Sequence, residues 1–215
     1  MLVFHHAPWS RSSSVLWLLE ELGVDYELRI VDIRAEGGVP EAYRAIQPHK
    51  KAPAIELDGT VITERAAIAI YLADHFAHAG LAPALTDADR AAYLTMLVYC
   101  DAVLDPCVSA RAHGLEYASN DYPFGLFEDM VAYLERVLSE RPYAAGDRFT
   151  AADTQLASSI GYTMTQLKVL PERPAFKEYM ARIEDRPAHG RAQQKDQELA
   201  MATPFFQAQF AQAQV

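Results

Sequence analysis

Four serines crowd the early part of the chain, at Ser10, Ser12, Ser13 and Ser14, just ahead of an apolar run that begins at Val15. A hydroxyl there either caps a helix start or donates a hydrogen bond to an anion. Further on, His49, Lys50, Lys51 and Arg65 gather positive charge in a chain whose formal net charge is −10. An acidic protein needs such a cluster to hold a small anion, although a solvated charge run is the plainer reading of Lys50 and Lys51. Thr63-Glu64 opens a helical pattern, and the N–H groups and dipole of a helix start favour a carboxylate. Ala52-Pro53 leads into an apolar strand; X–Pro bonds tolerate cis far better than others, while an edge strand tolerates a trans proline. His5 and His6 read as strand-end residues rather than metal ligands. Cys100 and Cys107 would lie ~10 Å apart on one helix, too far for a disulfide. Neither a disulfide scaffold nor a cysteine-based zinc site is expected.

The elements that must position these groups are those of an ordinary globular chain. It has 215 residues, 51% hydrophobic and 22% charged, enough to bury a core and too apolar for wholesale disorder. Its acidity argues against phosphate-backbone binding, so no nucleic-acid partner is expected. No apolar run approaches the ~20 residues that cross a bilayer, and Met1-Leu2-Val3-Phe4-His5-His6 does not read as a signal peptide. No membrane partner and a cytoplasmic location are the expectations.

The pattern changes near residue 80. Leu2–His5 reads as a strand. Val15, Leu18, Leu19 and Leu22 recur at helical spacing and stop at Gly23. Tyr26–Val31 reads as a second strand. Pro53–Leu57, Asp58-Gly59 and Thr60–Ile62 read as a hairpin, because Asp-Gly suits a type I′ turn. A helix follows from about Glu64. After Gly80-Leu81-Ala82-Pro83 four apolar helical patterns succeed one another: about 87–112, the Phe127–Leu138 stripe, 151 to about 168, and one carrying Phe176, Tyr179, Met180 and Ile183. A shorter helix is expected after Pro187, and the tail after Pro204 has little periodicity. Thr150 and Asp153 form a capping-box pattern, with Phe149 placed as its staple.

Four stretches carry a resemblance. They are Ala7–Gly23 with its Ala7-Pro8-Trp9-Ser10 start; Gln47-Pro48-His49-Lys50-Lys51-Ala52-Pro53-Ala54-Ile55; Leu57–Ala73 with Thr63-Glu64-Arg65; and Gly146-Asp147-Arg148-Phe149-Thr150-Ala151-Ala152-Asp153. In this order the chain resembles the cytosolic glutathione transferases, serine-type and bacterial-like. The resemblance implies an α/β thioredoxin-like N-terminal domain at 1–79, a linker at 80–88 and an all-α C-terminal domain at 89–215. It implies glutathione as co-substrate, a small hydrophobic electrophile as second substrate, and a homodimer. No metal is expected.

The resemblance also assigns residues. It implies that the Ala52-Pro53 bond is cis and that Ala52 pairs with the cysteinyl backbone of glutathione. Glu64 would accept the α-ammonium and the Arg65 N–H the α-carboxylate, with Lys50 and Lys51 near the ligand's charges. Two departures stand out: Arg65 sits where the family usually has serine, and Lys50 where it usually has glycine. Tyrosine-type members have a tyrosine at the end of the first strand, and cysteine-type members a cysteine in the next loop; this chain has neither. Ser10 is the best match for the thiol activator and Ser12 the second. Ser12 also suits the N-cap. Trp9, Tyr99, Cys107 and Arg111 are candidates for the second-substrate pocket, with core or surface roles as alternatives; Tyr117 is read the same way. A free thiol with pKa ~8.5 is only ~3% ionised at pH 7. A two-unit drop needs ~2.7 kcal/mol, which one hydrogen bond to the anion and one helix end supply between them. Two further functions fit this fold: glutathione-dependent disulfide reduction or isomerisation, which usually needs a cysteine nucleophile, and non-catalytic glutathione binding.

Overall fold

The computed structural model describes residues 1–213. Two compact units form: Met1–Ile68 with the segment from Arg186 onward, and Ala69–Asp185. The last two helices thus group with the sheet-bearing unit.

In that unit β1 (Leu2–His6), β2 (Glu27–Ile30), β3 (Ala54–Leu57) and β4 (Thr60–Thr63) form one sheet in the order β2-β1-β3-β4. β1 runs parallel to β2 and antiparallel to β3, and β3 antiparallel to β4. The β3–β4 turn has Asp58 and Gly59 both at positive φ, 50° and 84°, as a type I′ hairpin demands. Helix α1 (Ser13–Leu22) buries Val15, Leu18, Leu19 and Leu22, and Gly23 ends it with φ 64°. Phe4, Leu16, Leu18, Leu19 and Ile55 are fully buried in this core.

The short helix expected after Pro187 is a fifteen-residue one, here α8 (Pro187–Met201), and the tail that showed little periodicity holds α9 (Pro204–Ala213). Ala188, Ala192, Asp196 and Ala200 are the buried positions of α8, one every four residues. This narrow stripe of small side chains lets α8 lie close along α1. Arg186, at its start, grips Glu21 of α1 with two bonds of 2.7 Å.

The second unit is helical. Helix α2 (Arg65–His75) straddles the boundary between the units; α3 (Arg90–Tyr99), α4 (Asp105–Ala112), α5 (Phe127–Glu140), α6 (Ala151–Gly161) and α7 (Pro174–Glu184) follow. Arg90 holds Asp74 through two 2.7 Å bonds. A π turn over Cys100–Leu104 joins α3 to α4, with the Asp105 N–H bonded to the Cys100 carbonyl. Pro106 explains it: proline has no N–H to give and its ring crowds the carbonyl four residues back, so the ladder widens ahead of it. The Gln155 carboxamide donates to the Leu97 carbonyl at 3.1 Å. The stretch Arg90–Ala112 runs continuously for 23 residues and, by length and composition only, is long and apolar enough to cross a membrane, although Asp101 and Asp105 interrupt its apolar run. Tyr93, Met96, Leu97, Cys100, Leu104 and Cys107 on it are nonetheless buried inside the protein, as on a core helix.

The capping box forms at α6. Asp153 is fully buried, and its carboxyl accepts from the Ala144 N–H at 2.7 Å, the Thr150 N–H at 2.8 Å, the Thr150 hydroxyl at 3.1 Å and the Tyr179 hydroxyl at 3.0 Å.

Candidate active site at one end of the sheet

Strand register gathers the sequence motifs. His5 pairs with Ala54, Ala54 with Thr63, and His6 with Ile30. The segments beyond those residues therefore all leave the sheet at the same end: Ala7–Ser12 after β1, Val31–Arg34 after β2, Gln47–Pro53 before β3, and Glu64-Arg65 after β4. A molecule lying across that end meets all four.

The Ala52-Pro53 bond is cis. The loop before it is built by Gln47, a buried residue to which the sequence reading gave no role. Its side-chain oxygen accepts the N–H groups of His49 at 2.7 Å and Lys51 at 3.1 Å. Tyr43 braces the same loop, its hydroxyl donating to the Lys51 carbonyl at 3.3 Å. Burial, with Glu56 nearby, pushes the Tyr43 phenol up to about 12, so it stays a donor. Lys50 is already engaged, pairing with Glu41 at 2.6 Å, and Lys50 followed by Arg44 draws the Glu41 carboxyl down to about 2. Lys51 is exposed and Arg65 is buried.

Trp9, Lys50 and Glu64 all take left-handed backbone, with φ 50°, 55° and 67°. Such a conformation costs a side-chain-bearing residue about 1–3 kcal/mol and persists where surroundings over-determine it. Three such residues on the loops at one sheet end mark it as a site held in tension. This also explains why glycine suits position 50. Lys50→Gly is expected to raise stability by about 1 kcal/mol in chemical denaturation, since the exposed partner Glu41 makes the lost ion pair worth little.

The two candidate serines separate cleanly. Ser12 occupies the N-cap position of α1, yet its hydroxyl makes no cap bond. It is fully buried, lying 2.7 Å from His6 Nδ1, 2.9 Å from the Ala7 carbonyl and 3.0 Å from the Ala7 N–H that it accepts. Ser12 is thus a buried brace, its hydroxyl engaged by His6 and the Ala7 backbone. Ser10 is half-buried; its hydroxyl donates to the Ala7 carbonyl at 2.7 Å and accepts the Ser12 N–H at 3.1 Å. Ser13 donates to Asp196 at 2.6 Å and Ser14 to the Arg11 carbonyl at 3.0 Å.

Trp9 is 37% exposed, with its ring edge-on to Phe206 at 4.7 Å and Phe210 at 6.0 Å. The other pocket candidates lie in the helical unit. Tyr99 packs against Tyr133 at 4.5 Å, and burial raises its phenol pKa. Arg111 pairs with Glu128, lies 4.3 Å over the Phe127 ring and, with Tyr117 and Leu115, lines a cavity of about 390 Å³. Cys107 does not fit as a pocket wall. It is fully buried, its thiol faces the Phe124 carbonyl at 3.5 Å, and burial pushes its pKa up.

A four-stranded mixed sheet with a cis-proline ahead of its third strand, followed by a bundle of helices, is the thioredoxin-like plus all-helical architecture of the glutathione transferases. A family model described as glutathione S-transferase, N-terminal domain, matches residues 8–75, and one described as glutathione S-transferase, C-terminal domain, matches residues 122–188. Glutathione S-transferase 3 of Schizosaccharomyces pombe is 31% identical, covering 87% of this chain and 85% of its own. The disulfide-bond oxidoreductase YfcG of Escherichia coli is 29% identical over 92% and 96%. A sphingomonad glutathione S-transferase solved in complex with glutathione superposes with a TM-score of 0.71 at 28% identity, over 90% of this chain and 98% of that one. The chain belongs to the glutathione S-transferase family of enzymes.

Proposed function

We propose that this enzyme binds glutathione across the end of the sheet and presents its thiolate to a hydrophobic electrophile. The observation that carries the reading is the register, which brings the cis Ala52-Pro53 segment, Glu64-Arg65 and the Ser10 loop to one end. The Ala52 N–H and C=O pair with the cysteinyl backbone as an added strand would. Glu64 accepts the α-ammonium, the Arg65 N–H the α-carboxylate, and Lys51 the second carboxylate. Lys50 contributes less, being engaged by Glu41.

Ser10 turns its hydrogen from the Ala7 carbonyl to the glutathione sulfur, and the thiol proton leaves to water. The sulfur then forms a bond to an electrophilic carbon. The displaced electron pair leaves with a leaving group, or moves into a conjugated system that takes a proton from water. A hydrogen bond to an anion is worth ~1.5–3 kcal/mol and the bond given up to a neutral carbonyl ~1 kcal/mol. The net of ~0.5–2 kcal/mol lowers the thiol pKa by about one unit. Ser10→Ala is therefore expected to cut conjugation of a chromogenic electrophile about tenfold at pH 6.5, with glutathione affinity nearly kept. The deficit closes toward pH 9, where the thiol ionises unaided. An unchanged rate at pH 6.5 removes Ser10 from this role.

A second reading has a specific observation behind it, the likeness to a relative named as a disulfide-bond oxidoreductase. Both cysteines of the chain are buried in the helical unit, so such chemistry would use two glutathiones: one thiolate opens the disulfide, and the second releases the mixed disulfide as oxidised glutathione. A panel of electrophiles and mixed disulfides ranks the two reactions, and silence on both with glutathione bound identifies a binding protein. The homodimer, the cytoplasmic location and a role in detoxification are carried from the family as part of this proposal. Sedimentation mass checks the first of them against the 23.9 kDa of one chain.

A further inference from the structure

Asp196 is the one charged side chain on the buried stripe of α8, among Ala188, Ala192 and Ala200. It lies about 190 residues from the Ser10 loop in sequence and touches that loop at Trp9 and its two flanks at His6 and Ser13. One carboxyl oxygen faces His6 Nε2 at 2.9 Å and accepts the Trp9 N–H at 3.2 Å; the other accepts the Ser13 hydroxyl at 2.6 Å.

We propose that Asp196 is a positioning residue for thiol activation: it holds the Trp9-Ser10 turn in shape and leaves Ser10 as the only serine of the loop free to donate. The inference rests on Ser10 being the thiolate donor. First, Trp9 sits in the left-handed region immediately before Ser10, a conformation that reverts unless held. The Asp196 bond to the Trp9 N–H holds it from one side. Arg34 holds it from the other, donating to the Pro8 and Trp9 carbonyls at 3.3 and 3.2 Å.

Second, the carboxylate sets the direction of every hydrogen bond behind Ser10. It only accepts, so His6 Nε2 carries the hydrogen, and in the neutral ring Nδ1 then presents a lone pair. That lone pair belongs to a fully buried ring and needs a donor, and Ser12 at 2.7 Å supplies it. The Ser12 hydrogen is then spent on His6 rather than on the Ala7 carbonyl 2.9 Å away, so Ser12 Oγ is left an acceptor, for the Ala7 N–H and, whenever Ser10 turns its hydrogen from the Ala7 carbonyl, for Ser10 Oγ at 2.9 Å. Ser13 gives its hydrogen to Asp196 itself, and Ser14 gives its own to Arg11. Ser14 is buried, so of the two hydroxyls resting on backbone carbonyls only that of half-buried Ser10 can exchange its acceptor for a ligand.

The test is a four-protein cycle of wild type, Asp196→Ala, Ser10→Ala and the double variant, reading the pKa of the bound glutathione thiol by ultraviolet thiolate absorbance. Asp196→Ala is expected to raise that pKa by about one unit, a tenfold loss of conjugation at pH 6.5, and to add nothing in the Ser10→Ala background. An equal shift in both backgrounds overturns the proposal, because Asp196 then acts by another route. If Ser10→Ala moves the pKa and Asp196→Ala does not, the positioning role fails while the Ser10 reading stands. If Ser10→Ala moves nothing, both fail. A measurement on the wild-type protein covers the case in which Asp196→Ala does not fold. Imidazole nitrogen resonances at pH 7 should show His6 with its hydrogen on Nε2 and a bare Nδ1; a proton on Nδ1 overturns the proposal.

Discussion

Glutathione is expected to bind the Glu64→Ala variant about ten- to a hundredfold more weakly than wild type in calorimetric titration. Glu64 is exposed and strained at φ 67°. Its main-chain carbonyl starts α2 by accepting the Ile68 N–H at 2.9 Å, so the side chain is not needed to begin the helix. The residue stands where the end of β4 meets the cis-proline strand, next to the Thr63–Ala54 pair. A charge-assisted bond to an ammonium is worth ~1.5–3 kcal/mol, which sets the expected range. The left-handed backbone adds a second, opposite effect that separates site from scaffold. Glycine adopts that conformation without cost, so Glu64→Gly lowers affinity as alanine does while making the fold more stable. Unchanged affinity in a folded Glu64→Ala protein would remove Glu64 from the ligand.

Asp153→Ala is expected to lower unfolding stability by about 3–5 kcal/mol at pH 7, measured by denaturant titration. Four donors converge on that carboxyl inside the protein. Removing it orphans them, and a buried unsatisfied group costs ~1–3 kcal/mol. Burial works the other way and outweighs the donors, pushing the Asp153 pKa up to about 6 from 3.8. The folded protein therefore holds the proton more tightly than the unfolded chain. The associated stability is fully present below about pH 4 and is lost as pH rises through 6, a change on the order of 3 kcal/mol. The penalty of Asp153→Ala should accordingly grow as pH falls from 7 to 4. A penalty independent of pH contradicts the buried, titrating carboxyl.

The parts legible in the sequence were those where one local rule acts strongly. Asp58-Gly59 announced its turn because only residues tolerant of positive φ make it. Thr150 and Asp153 announced the start of α6 because a capping box needs those types three apart. The wide apolar stripe of α5 was equally plain. Helix α8 was not, because its buried face is three alanines and a carboxylate, and alanine carries almost no hydrophobic contrast. The spacing Ala188, Ala192, Asp196, Ala200 was the available signal, and it reads as a close helix contact only once α1 is beside it. Ser12 and Ser10 were indistinguishable as types; the His6 ring and the Ala7 backbone, reached only in three dimensions, separate them. Gln47 was hidden for a similar reason, since its side chain acts on backbone N–H groups rather than on a ligand. The strain at Lys50 was visible only as a departure from glycine, and the backbone angle gives that departure its cause.

The central claim is that glutathione lies across the end of the sheet, touching three segments that only the register brings together. Titrating isotopically labelled protein with glutathione and following backbone amide resonances tests it most directly. The account predicts that the amides of Ser10, Ala52 and Arg65 move together along one saturation curve. Still resonances at all three, with shifts confined to residues of the helical unit such as Arg111 and Tyr117, would contradict it.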